Sequence, residues 1–273
     1  MIETKPGEQI VTEVRKRYGA IAVQGTSCCA TQPACCGTTE MSRQLGYEER
    51  ELATVPQEAD LGLGCGAPVG RLALKPGETV LDLGSGPGLD ALLAAREVGP
   101  TGHVIGVDMT PEMLERARAT AARAGAAHVE FRQGRLEALP VDDASVDAVT
   151  SNCVINLVPD KAAVFREIAR VLRPGGRVVV ADIVLEKPLP EAVAKDVLAW
   201  CGCVSGAAPR ADYFRLVERA GLREVEVLKE EDYAASVAQI ASDQAQSLLE
   251  RWGVTREALE GTVMSVTWRA VKA

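Results

Sequence analysis

The sequence predicts a doubly wound, mostly parallel α/β sheet whose last strand is antiparallel, flanked by N-terminal and C-terminal extensions. Two observations predict it. From Thr79 onward, short apolar runs alternate with amphipathic stretches, the order that puts helices on both faces of a parallel sheet. The first apolar run, Thr79-Val-Leu-Asp-Leu83, passes directly into Gly84-Ser-Gly-Pro-Gly88, and Asp108 closes the second run twenty residues beyond Gly88. A glycine turn after the first strand and a carboxylate after the second are what a nucleoside-cofactor crevice requires.

The elements follow in order. Residues 8–18 carry Ile10, Val11 and Val14 at helical spacing with charges on the other faces, and read as an amphipathic helix ending at Gly19. Residues 25–36 are small, polar and Cys-rich, and read as a mobile loop. Two helical turns, 39–45 and 48–53, precede Gly62-Leu-Gly-Cys-Gly66, which is too glycine-rich for regular structure and is placed over the mouth of the crevice. After the first strand come helix 89–98, strand 104–107, and helix 111–124 with Thr110 as its cap and Pro111 at its first position. Strands 129–131 and 145–151 follow, then helix 160–172, capped by Asp160 and closed by Pro174-Gly175-Gly176, then strand 177–185. Helices 190–200 and 212–220 lead to an antiparallel pair, 225–227 with 264–270. The chain divides into a helical, Cys-rich extension at 1–70, a cofactor-binding core at 71–187, and a C-terminal part at 188–273 that completes the sheet.

Across 273 residues the net charge is −8 with Lys and Arg scattered, which argues against nucleic acid as a partner. The opening MIETKPGEQI has no apolar core, so no secretory signal is expected. The longest apolar run, 178–185, contains Asp182 and is too short to span a bilayer, so neither a membrane partner nor a membrane location is expected. A cytoplasmic protein is the expectation, and there eight cysteines read as metal-binding or catalytic groups rather than a disulfide framework. Cys28, Cys29, Cys35 and Cys36 cluster; Cys65, Cys153, Cys201 and Cys203 stand apart.

The glycine spacing is G-x-G-x-G, not the G-x-G-x-x-G of dinucleotide sites, and Asp82 sits just before it. A carboxylate there repels a diphosphate and suits a cationic ligand that carries an amino acid. S-adenosylmethionine fits that description. The stretch resembles the first motif of the Rossmann-like class I methyltransferases, and Asp108-Met109 resembles their second. On that resemblance Asp82 and the backbone of Gly84, Gly86 and Gly88 hold the methionine end, and Asp108 grips the ribose. Met109 and Leu136 flank adenine, Asn152 completes the set, and Asp90 supports the loop. Glu137 reads equally as a solvated helix charge.

Ligands in such a sheet sit at the carboxyl ends of the strands, and Cys153 lies two residues past the predicted fourth strand, pointing into the crevice. Where methyltransferases of exocyclic amines carry Asn/Asp-Pro-Pro-aromatic, this chain has Asn152-Cys-Val-Ile155, a thiol in place of an amine pocket. Cys203, after the helix that follows strand five, and Cys65, from the N-terminal extension, can meet it there. Taken singly, each cysteine also reads as a small buried hydrophobe.

Leu61-Gly-Leu-Gly-Cys-Gly66, Gly106-Val-Asp-Met-Thr-Pro-Glu-Met-Leu114, Ser151-Asn-Cys-Val-Ile-Asn-Leu157 and Gly202-Cys-Val-Ser-Gly-Ala207 strongly resemble the bacterial arsenite S-adenosylmethyltransferases. The resemblance implies that Cys65, Cys153 and Cys203 bind trivalent arsenic, with arsenite and methylarsenite as substrates and thioredoxin or glutathione as reductant. Cys201 departs from the pattern and competes with Cys203 for the third place. Cys28, Cys29, Cys35 and Cys36 look like the family's N-terminal pairs, read as arsenic capture, as a redox partner for Cys65, or as a mobile tail. Three thiolates leave the arsenic lone pair to be aimed at a sulfonium methyl, a displacement governed by positioning that needs no side-chain base. His103 and His128 accordingly read as structural. Two other readings stay open: the same fold acting on an organic acceptor, and a metalloid- or zinc-binding protein that consumes no cofactor.

Overall fold

A computed structural model describes residues 6–25, 38–233, 235 and 242–273. Cys28, Cys29, Cys35 and Cys36, with the loop expected around them, lie outside the described residues. Helices α1 (Pro6–Gln24), α2 (Thr38–Leu45) and α3 (Glu49–Leu52) precede the sheet. The alternating region then runs β1 (Thr79–Leu83), α4 (Leu89–Val98), β2 (His103–Asp108), α5 (Pro111–Arg123), β3 (Val129–Gln133) and β4 (Val146–Asn152). It continues through α6 (Lys161–Val171), β5 (Leu172–Leu185), α7 (Glu191–Ala194), α8 (Val197–Cys201) and β6 (Ala208–Pro209). The chain finishes with α9 (Arg210–Arg219), β7 (Leu222–Asp232), α10 (Ser242–Trp252) and β8 (Val263–Lys272).

The strands lie in the order β3-β2-β1-β4-β5-β8-β7, with β6 beside the end of β5. The strands from β1 to β5 are parallel to one another, and β8 runs antiparallel between β5 and β7. Alternate strand residues feed two apolar layers, as the twofold period of a strand requires. Leu81, Ile105, Val149 and Val178 face α6 and α9, where Phe165, Tyr213 and Trp268 pack ring against ring. Val80, Val104, Ala148 and Val179 face α4 and α5 on the other side. Each such Leu, Ile or Val contributes about 1.5–3 kcal/mol when fully buried. Together these layers fix where the carboxyl ends of β1, β2, β4 and β5 fall, and that edge holds the site.

Four details depart from the sequence expectation. Helix α1 does not stop at Gly19 but continues to Gln24, because Gly19 lets it approach Glu112 of α5 and the extra turn buries Ile21 and Ala22 against Met113. Thr110 stands at the start of α5, yet its side chain makes no capping hydrogen bond; its own N–H donates to Asp108 Oδ1 at 2.8 Å. Strand β5 begins at Leu172 and passes through Pro174-Gly175-Gly176, with a register shift against β4, rather than starting at Arg177. The helix expected over 190–200 is two short ones, because Asp196 starts α8 by accepting from the Leu198 N–H and also accepts the Trp252 indole N–H.

One glycine on β2 is a packing requirement. A Cβ at Gly106 would fall 2.5 Å from the Phe131 ring and 2.9 Å from Ser85. Gly106→Ala should therefore cost about 1–3 kcal/mol by overpacking and lower Tm by about 3–10 °C in a thermal melt.

Candidate active site

The crevice opens where β1 ends. Gly84, Gly86 and Gly88 all have positive φ, at +64°, +50° and +97°, a region that glycine enters without steric cost. A Cβ at Gly84 would overlap the Val154 side chain, so the turn can approach the β4 loop only as glycine. The turn is tied to β2: the Gly84 and Ser85 N–H groups donate to the Val107 carbonyl at 2.7 and 3.1 Å, and Gly86 N–H donates to Asp108 Oδ2 at 3.0 Å.

Asp82, Gly84, Gly86, Asp108, Met109, Leu136 and Asn152 line one concave wall, with Val11, Val14 and Tyr18 of α1 across from them. Gly88 does not line it. It turns toward Phe131 and Ala117 and begins α4, so its glycine serves helix packing. Glu8 of α1 pairs with Arg135 at 2.8 Å, which fastens the helix across the opening; Arg135 also pairs with Glu137.

The crevice floor carries two buried acids, Asp82 and Asp90, with the half-buried Asp108 beside them. Burial, then Asp90 and Asp108, push the Asp82 carboxyl well above its usual range. Its Oδ2 has no hydrogen-bond partner, and neither does the buried Ser85 Oγ. Burial also raises Asp90 to about 6 and lifts Asp108. Three carboxyls crowded together make a site that a positively charged ligand would relieve.

Cys153 lines this crevice, and Cys65, Cys201 and Cys203 gather with it in the apolar cluster beside it. Cys65, Cys153, Cys201 and Cys203 are all buried and free, and share one apolar cluster. The Sγ atoms of Cys65 and Cys153 and a carboxylate oxygen of Asp182 lie within 4.8 Å of one another. The Cys203 thiol donates to the Cys153 carbonyl at 2.9 Å. Cys153 directly follows the last residue of β4, one place closer than expected, because the strand runs on to Asn152. Cys153 and Cys203 both hold left-handed backbone, φ +55° and +63°, at a cost of about 1–3 kcal/mol each. The Cys153 N–H donates to the Ala181 carbonyl at 2.8 Å, which locks its conformation to β5.

Burial holds the Cys65 thiol above its ordinary range. Cys203 is pushed well up by its hydrogen bond with Cys153 and by burial. The bond with Cys203 works to lower Cys153, but Cys65 and burial together carry it well up. The free pocket is one of neutral thiols, suited to a soft electrophile that brings its own leaving groups.

Three side chains that sequence reasoning passed over organise this pocket. Asp182, noted only as an interruption in an apolar run, accepts from Asn156 Nδ2 at 2.8 Å, Ile183 N–H at 3.0 Å and the Tyr213 hydroxyl at 3.1 Å. Lys161 is buried beside it, donating to the Val158 carbonyl at 3.1 Å and standing 5.7 Å from the centre of the Trp200 ring. Tyr47, from the N-terminal extension, donates to Asp90 Oδ1 at 2.7 Å. A carboxylate in a wholly apolar central strand was the available signal for Asp182; Tyr47 carried none. His103 pairs with Glu130 at 2.9 Å, and His128 Nε2 lies 3.0 Å from the Ala95 carbonyl.

Carboxyl ends of parallel strands, a positive-φ glycine turn and an acidic floor define the class, a methyltransferase domain, and residues 74–248 match the family model of that description. An arsenite methyltransferase of Halobacterium salinarum is 47% identical over 85% of this chain and 62% of its own length. The arsenite methyltransferase of Mus musculus is 32% identical over 81% of this chain and 60% of its own. The crystal structure of an arsenic(III) S-adenosylmethionine methyltransferase from Chlamydomonas reinhardtii superposes with a TM-score of 0.59, at 32% identity, covering 88% of this chain and 74% of that one. The chain belongs to the arsenite methyltransferase family. It spans about 60% of the length of these two curated relatives. Among the described residues, no helix is long and apolar enough to cross a membrane.

Burial raises Asp182 to about 7, so the folded chain holds this proton more tightly than the unfolded chain, whose carboxyl titrates near 4. The stability this contributes is full below about pH 4 and is lost as pH rises through about 7. Asp182→Asn removes the loss. Urea unfolding at about pH 4, 6 and 8 should show the variant gaining on the wild type as pH rises, by on the order of a few kcal/mol; a constant offset would contradict this.

Proposed function

We propose that this protein transfers the methyl group of S-adenosylmethionine to trivalent arsenic held as substrate by Cys65, Cys153 and Cys203, and releases methylated arsenicals. The observation that carries this reading is the meeting of Cys65, from the N-terminal extension, with Cys153, from the end of β4, where Cys153 lines a crevice that also holds the unpaired Asp82 Oδ2.

S-adenosylmethionine supplies, when bound, a cationic sulfonium with an electrophilic methyl. Asp82 Oδ2 and Ser85 Oγ, both buried and unpaired, fit a ligand with an ammonium group. Gly84 and Gly86 give backbone approach, Asp108 has spare lone pairs for ribose hydroxyls, and Met109 and Leu136 offer apolar faces to a base. Asn152 serves the site through the Cys65 loop, whose N–H it accepts at 3.0 Å. In division of labour, 1–70 brings Cys65 and covers the crevice, 71–187 binds the cofactor and carries Cys153, and 188–273 completes the sheet and supplies Cys203.

The thiols need no base. Arsenite at neutral pH is the uncharged trihydroxide, and each exchange of an As–OH for an As–S bond sends the thiol proton out as water. Three thiolates then leave the arsenic lone pair free, and what remains is orientation. Cys203 is the third ligand rather than Cys201, because its thiol is already bonded to Cys153's backbone. Methyl transfer uses the arsenic lone pair and takes arsenic formally to the pentavalent state; two cysteine thiols return it to the trivalent state as they close to a disulfide, and thioredoxin or glutathione reduces that disulfide, so that methylarsenite can enter a further round in a cytoplasmic setting that keeps the thiols reduced. Cys28, Cys29, Cys35 and Cys36 serve as capture or redox thiols.

The test is to incubate the chain with arsenite, a thiol reductant and labelled S-adenosylmethionine, then separate arsenic species. Cys153→Ser should lower methylarsenical output by about two orders of magnitude or more, with cofactor binding retained, and Cys201→Ser should keep most of the output. Undiminished output from Cys153→Ser would instead favour an organic acceptor. Because proton release is balanced by hydroxide, arsenite affinity should vary by less than about threefold between about pH 6 and 8, unlike the proton-linked binding of a metal cation. Titration of thiol absorbance or intrinsic fluorescence at several pH values checks this.

A further inference from the structure

Asp182 is not explained by arsenic. A trithiolate arsenic complex is neutral and gains nothing from a carboxylate at its side, yet the fold holds one within 4.8 Å of two of the sulfurs, fully buried and fixed by Asn156, Tyr213 and the Ile183 N–H. A divalent cation does gain from it. Two thiolates and a carboxylate neutralise a double charge and leave the complex one unit negative, with the buried Lys161 ammonium nearby.

We infer that Cys65, Cys153 and Asp182 form a binding site for a thiophilic divalent cation of the zinc and cadmium class, which occupies the pocket to the exclusion of the metalloid. Tetrahedral zinc takes sulfur at about 2.3 Å and carboxylate oxygen at about 2.0–2.2 Å, so ligand atoms around it stand about 3.5–3.8 Å apart. The three ligand atoms, mutually within 4.8 Å, already stand within about 1 Å of that spacing. Asn156 and the Ile183 N–H occupy Asp182 Oδ1 and Tyr213 takes one lone pair of Oδ2, which leaves the second Oδ2 lone pair for a metal and orients the carboxylate, as partners of a metal ligand do. Cys203, hydrogen-bonded to Cys153's carbonyl, is the nearest further donor for the remaining position. Binding displaces one proton from each of the two cysteines into solvent, together with any that Asp182 carries. The consequence is a pocket in which zinc competes with arsenite, discriminated by one oxygen.

The experiment uses the full chain carrying Cys28→Ser, Cys29→Ser, Cys35→Ser and Cys36→Ser, which removes the thiols outside the described residues. Zinc is titrated against a chromophoric chelator, and the zinc absorption edge of the loaded protein reports the ligand shell. We expect a mixed sulfur and oxygen shell, displacement of zinc by arsenite, and an affinity for zinc at least about tenfold weaker in Asp182→Asn. Arsenite affinity in that variant should stay within about twofold. An all-sulfur shell overturns the proposal, as does equal zinc affinity in Asp182→Asn or no zinc binding in the serine background. The absorption edge decides the matter on unaltered Asp182, so it does not depend on the variant folding. Should zinc bind with a mixed shell while arsenite fails to displace it, the cation site stands and the arsenic reading falls.

Discussion

The side-chain amide of Asn152 is the contact on which the site depends. Its Nδ2 donates to the Gly66 carbonyl at 2.7 Å and the Tyr47 hydroxyl at 2.8 Å, and lies 3.3 Å from Asp90; its Oδ1 accepts the Cys65 N–H at 3.0 Å. One residue at the end of β4 thus fixes the loop that delivers Cys65 and ties it to a carboxyl of the cofactor crevice. Such a network favours the fold only when every member is satisfied, since each orphaned buried polar group costs about 1–3 kcal/mol. A second anchor holds the loop from the opposite side, where the Ser265 hydroxyl on β8 donates to the Cys65 carbonyl at 2.6 Å. Small side chains are then obligatory: a Cβ at Gly64 would meet the Asn152 amide at 2.7 Å, and one at Gly66 would meet Ala181 at the same distance.

Electrostatically the crevice and the thiol pocket are both prepared for something positive or soft. Asp82, Asp90 and Asp108 line one crevice, and Asp182 stands beside the thiols; all four are raised above the usual carboxylate range, first by burial. Holding such groups costs stability in the free chain. They persist because the sheet over-determines their positions, and a cationic ligand recovers part of that cost on binding. The strained backbone at Cys153 and Cys203 belongs to the same pattern, with unfavourable local conformations held by well-packed neighbours at the strand ends.

Much of this was legible in the chain. Twofold and helical periodicities marked the strands and helices of the alternating region, since these depend on neighbours a few residues apart. The glycine turn and Asp108 announced a crevice, because a positive φ and a carboxylate at a strand end are local demands. Misreadings arose where a distant partner overrode local grammar. Gly19 is a helix stop in isolation but an approach site for Glu112 in the fold, and Gly88 is drawn into packing by Phe131. Thr110 is a capping residue by type, yet it is buried and its N–H bonds back to Asp108.

The sequence alone determined that a parallel α/β sheet would form, that its first strand would end in a glycine turn before an acid, and that thiols would sit in turns rather than helices at Cys65 and Cys153. Each follows from residue type and spacing. Only the tertiary structure decided that a carboxylate joins two of those sulfurs, because Asp182 faces Cys153 through the placement of β5 beside β4, and Cys65 arrives through a loop pinned between Asn152 and Ser265. Sheet order and loop anchoring set distances between residues far apart in the chain, and no local period encodes them.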